Sequence, residues 1–325
     1  MKKCLAVSMW AATLMSSLPG AAAELGRPIL GHIPSSEPGA LLRMAGIPGA
    51  AFFQPMPESG AVFERIAVSP GQDYALAIRA SDRATVVVRL DRTEAEPEAP
   101  LAAPGAERIA ISRNGAFAAL YSRVGESIQL IGGLPDHPAY QRSIGTAALS
   151  GGAGTMAVSD DGSMVLAGSA ATPEEVFILT ENAVGRLSLP SPVAGMVFRP
   201  GLREAVILAG AEVFLAVDLA GRPRYRSLAG TGQGLASPVA VEFSRDGRRL
   251  YIADPGASGV HILGPDFSPA GTVTCDCKPS GLQPLNGNSV FWIGSSSAGI
   301  PQILDDDSAG APRVVVVPPR LPATN

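Results

Sequence analysis

The sequence is poor in charge. Asp, Glu, Lys and Arg make up only 17% of it. Past Lys2 and Lys3 a single lysine remains, Lys278, and no basic run accompanies it. Removing those two lysines leaves 23 Lys and Arg against 29 Asp and Glu. An acidic chain of this kind is a poor partner for nucleic acid, because neutralising phosphates supplies most of that affinity. Low charge does not mean disorder here: 46% of residues are apolar, and disordered chains combine low hydrophobicity with high charge. After the N-terminal segment no stretch is apolar for 18 residues, so no membrane span is expected. Also missing are a Gly-x-Ser-x-Gly elbow, a His-Glu-x-x-His zinc helix and a Cys-x-x-Cys-His haem site. The chain therefore offers no motif for catalysis and none for a cofactor.

What is abundant is glycine and proline, 37 and 29 residues, a fifth of the chain. Average usage is about 12%. Both residues punctuate turns and weaken helix interiors, which argues against a helical bundle.

The N-terminus reads as a secretory leader. Lys2 and Lys3 precede an apolar stretch from Cys4 to Leu18, and Ala21-Ala22-Ala23 supplies small residues for cleavage. The expected division is a leader over 1–23, cut after Ala23, and one domain over 24–325, exported to the periplasm or the extracellular space. Cys4 lies too early to anchor a lipid. Two cysteines remain, Cys275 and Cys277, with Asp276 between them. They suit a tight structural turn, bridged or not, or a redox-labile bridge in an oxidising compartment. Soft-metal binding by this pair falls short of the four ligands of a closed zinc site.

A repeat organises the rest. Glu64-Arg65-Ile66-Ala67-Val68-Ser69 recurs as Glu107-Arg108-Ile109-Ala110-Ile111-Ser112. Related units run through Met156–Gly162, Met196–Gly201, Val241–Gly247 and Leu285–Ser289. The turn glycines are Gly71, Gly115, Gly162, Gly201, Gly247 and Gly287, spaced by 44, 47, 39, 46 and 40 residues. A period near 43 is that of a four-stranded propeller blade. In most copies an apolar strand ends at Ser, a polar pair and Gly make the turn, and second and third apolar strands follow. Residues 28–56 read as a partial unit, Pro28–Ile33 as a third strand and Ala40–Ala45 as an outer one. The fold expected is all-β: a single propeller of four-stranded blades, with the N-terminal strands completing a seven-bladed ring. Six blades plus an N-terminal extension is the alternative.

Leu250-Tyr251-Ile252-Ala253-Asp254-Pro255-Gly256 and the strand after it resemble the Tyr-Val-Thr-Asn repeats of bacterial propellers, and NHL repeats. The full match covers one repeat; the other copies keep the hairpin and lose the Ala-Asp signature. Propellers of this kind include surface proteins, sugar lactonases and electron-transfer subunits, so the resemblance implies fold more than function.

Three functions follow as expectations. The leading one is an exported, non-catalytic scaffold that binds a protein or cell-surface glycan through one face. The second is a metal-dependent hydrolase like gluconolactonase, with oxygen ligands drawn from Glu64, Glu107, Glu242 and Asn286. Because Glu64 and Glu107 share one repeat position, each before Arg, a repeated ion pair explains them more simply. The third is a periplasmic redox-associated subunit, on the strength of Cys275 and Cys277. The run Asp305-Asp306-Asp307 is read as an exposed turn rather than a calcium loop, and residues 91–106 as a solvated loop.

Overall fold

The computed structural model describes residues 28–35, 39–55, 62–90, 101, 105–295, 301–308 and 310–318. The leader and its cleavage point after Ala23 lie outside the described residues, as does most of 91–106.

The chain is a seven-bladed β-propeller. Blade 1 comprises Ile29–Pro34, Leu41–Ala45 and Phe52–Pro55; blade 2 comprises Phe63–Val68, Tyr74–Arg79 and Thr85–Arg89. Blade 3 runs through Arg108–Ile111, Phe117–Ser122, Ser127–Gly132 and Ala139–Gly145, and blade 4 through Ala153–Val158, Val165–Ser169, Glu175–Leu179 and Val184–Ser188. Blade 5 holds Val193–Phe198, Ala205–Ala209, Glu212–Val217 and Arg224–Ala229. Blade 6 holds Ala240–Phe243, Leu250–Asp254, Gly259–Leu263 and Pro269–Thr274. Blade 7 holds Pro279–Pro284, Val290–Ser295, Gln302–Asp305 and Arg313–Val316. Blades 1 and 2 show three strands among the described residues and the other five show four. In blade 2, Leu101 N–H donates to Thr85 O at 2.9 Å, so the chain returns beside the third strand there. The helical content among the described residues is one 3-10 turn, Thr231–Gln233, and no helix is long and apolar enough to cross a membrane.

The burial pattern explains the sequence pattern. Second and third strands are covered on both faces, so they read as unbroken apolar runs such as Tyr74–Arg79 and Ala205–Ala209. Outer strands are more exposed, as in Arg224–Ala229, whose sequence is also more polar. The core is divided into seven clusters, one at each seam between neighbouring blades. Phe198 joins blades 4 and 5, and Phe243 joins blades 5 and 6. Burying such a side chain contributes roughly 1.5–3 kcal/mol.

Hydrogen bonds link the hairpin turns around one face. Asp160 of blade 4 accepts the Asn114 N–H of blade 3 and the Gly201 N–H of blade 5, both at 2.8 Å. Asp246 N–H of blade 6 donates to Asn288 Oδ1 of blade 7 at 2.9 Å.

The N-terminal strands correct one expectation. Ile29–Pro34 is an innermost strand, not a third one, and it packs against the innermost strand of blade 2. Leu41–Ala45 is the second strand of that sheet, not the outer one. Blade 7 has four strands of its own, and among the described residues no strand of one end lies in the other end's sheet. Polar side chains close the ring, together with one backbone bond from Asn286 N–H to Leu30 O at 2.8 Å. Gln72 Oε1 accepts His32 N–H at 2.6 Å, and Gln72 Nε2 donates to Pro284 O at 2.6 Å. Gln283 Nε2 donates to His32 O at 2.8 Å, and Asn286 Nδ2 to Ile29 O at 2.9 Å.

Gly71 needs a second correction. Gly115, Gly162, Gly201 and Gly247 have φ between 65° and 74°, and Gly287 has φ 134°, but Gly71 is not in the left-handed region. Gln72 takes that conformation in blade 2, with φ 63°. Its N–H donates to Ser69 O, the bond that Gly115 N–H makes to Ser112 O. The turn keeps its register, and the glycine falls one position before the left-handed one, which Gln72 occupies with the side chain that closes the ring.

Candidate functional site

Blades 2 and 3 present the same residues twice at their seam. Each innermost strand begins with a Glu-Arg pair, Glu64-Arg65 and Glu107-Arg108. Each second-to-third hairpin adds an arginine on the same face, Arg83 and Arg123. The six side chains, with Ile78 and Ala106, line a hollow of about 180 Å³.

Within it, Arg83 Nε lies 3.5 Å from Glu64 Oε2, and Arg123 Nε 3.5 Å from Glu107 Oε2. Both pairs are half-exposed, so each is worth about 0–1 kcal/mol and is screened by salt. Arg65 and Arg108 have no carboxylate partner among the described residues. Four guanidinium groups against two carboxylates leave the hollow two positive charges in excess. Guanidinium stays protonated at any physiological pH and presents a planar fork of donors that matches a carboxylate or phosphate. The arrangement is a cationic well that can hold an anion.

The structure separates the residues singled out from sequence. Glu64 and Glu107 share the well, each paired with an arginine of its own blade. Glu242 lies elsewhere, with its oxygen 3.2 Å from Arg113 Nε. Asn286 binds Ile29 O at the closing seam. Among the described residues no three His, Cys, Asp or Glu side chains gather as a metal site would require. Cys275 and Cys277 are joined by a disulfide, Cα atoms 5.1 Å apart, in the loop between blades 6 and 7.

The aspartate run differs from the exposed turn expected. Asp305 is buried and takes Arg313 and Ser308 Oγ. Asp306 accepts the Tyr251 hydroxyl of blade 6 at 2.6 Å and pairs with Arg249. Only Asp307 is exposed, and it caps the N–H groups of Asn288 and Ser289. The Asp254 signature also has a local role. Burial raises its carboxyl, but N–H bonds from Ala236, Ser237, Ala257 and Gly256 outweigh that and hold it below the ordinary carboxylate range.

Sequence reasoning missed the arginines as a group. The signal present was the doubled Glu-Arg pair followed in each blade by an arginine at the next hairpin. Hairpin lengths differ between the two blades, so spacing alone does not align Arg83 with Arg123.

No family model and no curated protein matches the sequence. The fold is shared with solved structures of low identity. A functionally unknown protein from Desulfotomaculum acetoxidans is 11% identical with a TM-score of 0.59, over 90% of this chain and 99% of that one. Kuenenia stuttgartiensis hydrazine synthase is 15% identical with a TM-score of 0.55, over 90% and 99%. Dihydro-heme d1 dehydrogenase NirN is 18% identical with a TM-score of 0.50; the match spans 74% of this chain and 53% of that one. At these identities the likeness is one of fold, and it places this chain among the β-propellers.

Proposed function

We propose that this protein is an exported, non-catalytic binding propeller whose ligand is an anion held in the arginine well between blades 2 and 3. One observation carries the reading: Arg65 and Arg108 line the same hollow, and among the described residues neither has a carboxylate partner. A charged hydrogen bond contributes about 1.5–3 kcal/mol net. The propeller supplies a rigid frame, and residues at strand ends and hairpins on one face do the recognition. The repeat likeness of Leu250–Val260 to Tyr-Val-Thr-Asn and NHL propellers supports a surface or periplasmic setting, and the leader over residues 1–23 supports export.

Calorimetric titration with galacturonate at low salt tests it. Binding is expected, weakening with salt and falling at least tenfold in an Arg65→Ala, Arg108→Ala variant. Affinity unchanged by that variant, or no binding at all, overturns the reading. Intact mass of the exported protein is expected to start at Glu24; retention of the first 23 residues removes the export part.

A second reading, a redox-associated subunit, has one observation in its favour, the Cys275–Cys277 disulfide. Thiol titration with and without reductant tests it: two reductant-released thiols that exchange with a redox partner support it, and an inert pair dismisses it.

A further inference from the structure

The arginine well does not end at its own walls. A second hollow of about 350 Å³ adjoins it, sharing Arg83 and lined by Asp82, Ser122, Val124, Ser127 and Gln129. Arg123 of the well stands between Ser122 and Val124 of this shelf in sequence. Alone, the well falls below the ~300–1,000 Å³ usual for ligand sites; with the shelf it falls inside that range.

The chemistry changes along the groove. The well is cationic, and the shelf sets the Ser122 and Ser127 hydroxyls and the Gln129 amide on a largely apolar floor. Asp82 is the one carboxylate on the shelf, and Arg79 neutralises it through two hydrogen bonds of 3.0 and 2.7 Å. Ser122 Oγ accepts Gly125 N–H at 3.0 Å, which leaves its own proton to donate. The Ser127 hydroxyl and the Gln129 amide have no side-chain partner among the described residues. Neither hollow is lined by an aromatic ring.

Resting on the function proposed above, we infer that the groove holds an acidic oligosaccharide. A uronate carboxylate lies between Arg65 and Arg108, and the hydroxyls of the adjoining sugars meet Ser122, Ser127 and Gln129. Three features select this ligand class. A neutral glycan would leave two guanidiniums desolvated without a counter-charge. An acidic peptide would bring carboxylates without the ring hydroxyls that Ser122, Ser127 and Gln129 can pair with. A sugar chain offers one carboxylate and several hydroxyls per unit, which is the sequence of partners the groove presents.

Calorimetry on the mature chain with galacturonate, trigalacturonate, neutral galactotriose and hexaglutamate separates the outcomes. Trigalacturonate is expected to bind at least tenfold more tightly than galacturonate, and galactotriose not to bind. A Ser127→Ala, Gln129→Ala variant is expected to bring the trimer down to the affinity of the monomer. Equal affinity for monomer and trimer overturns the extended groove while leaving the anion well standing. Hexaglutamate binding as tightly as trigalacturonate overturns the glycan class. Failure of every anion to bind overturns the well itself, and this inference with it.

Discussion

Arg113 and Glu242 meet across the ring. They belong to blades 3 and 6, as far apart as two blades of seven can be, yet Nε of one lies 3.2 Å from Oε1 of the other. The same guanidinium also donates to Phe243 O. Both side chains are largely buried, at 7% and 17% exposure. Burial pushes the Glu242 carboxyl up, and the Arg113 charge pulls it back.

Removing one member strands the other. Arg113→Met is expected to cost about 3–5 kcal/mol, because it leaves a buried carboxylate without its partner. Arg113→Met with Glu242→Leu is expected to cost much less. Urea denaturation of the three proteins checks this; equal losses in single and double variants would refute the brace.

Gln72 is the clasp of the ring. Gln72→Ala leaves the buried His32 N–H and Pro284 C=O unpaired, at about 1–3 kcal/mol for each group. Gln72→Gly would relieve the positive φ and still lose both bonds. Both variants are expected to be destabilised, with the smaller loss for glycine. Hydrogen exchange should show blade 1 amides exposed first.

His32 makes stability depend on acid. It is 1% exposed, and neither ring nitrogen has a hydrogen-bond partner among the described residues. Burial, then the Arg43 charge, lowers its pKa from 6.5 to about 4. The unfolded chain therefore takes up a proton below pH 6.5 that the folded one refuses. Stability from this group is whole above pH 6.5 and is lost as pH falls toward 4, by up to about 3 kcal/mol. A His32→Leu variant should show a flatter stability profile between pH 6.5 and 4; an unchanged slope would assign the acid sensitivity elsewhere.

Two turn glycines should respond differently to alanine. A Cβ at Gly162, φ 65°, would lie 2.4 Å from the Phe117 ring of blade 3. One at Gly201, φ 69°, meets nothing within 4 Å. Gly201→Ala should cost about 1–2 kcal/mol, the left-handed backbone penalty alone. Gly162→Ala should cost clearly more. Thermal unfolding of the pair measures the difference.

The blades were legible because their chemistry is local and repeated. Ser112, Asn114 and Gly115 recur as Ser159, Asp161 and Gly162, and each set builds its hairpin from bonds within a few residues. What stayed hidden depends on contacts between distant blades. Asp306 looks like one of three surface carboxylates until Tyr251 and Arg249 of the preceding blade reach it. Nothing near Arg113 in sequence announces Glu242. The order of strands in blade 1 is not legible because its inner strand, Ile-Leu-Gly-His-Ile-Pro, lacks the Ser-turn-Gly hairpin that marks inner strands elsewhere. The well fell between these cases: its Glu-Arg pairs repeat, but its excess charge exists only where two blades meet.

The closing seam sets how this molecule would yield under force. A ring whose ends share one sheet must shear a ladder of backbone bonds before it opens. Among the described residues blades 1 and 7 are separate sheets, joined by Gln72, Gln283 and Asn286, by the backbone bond from Asn286 N–H to Leu30 O and by one apolar cluster. A pull across that seam would load these few bonds first, while the hairpins of blades 3, 4 and 5, and those of blades 6 and 7, stay linked turn to turn.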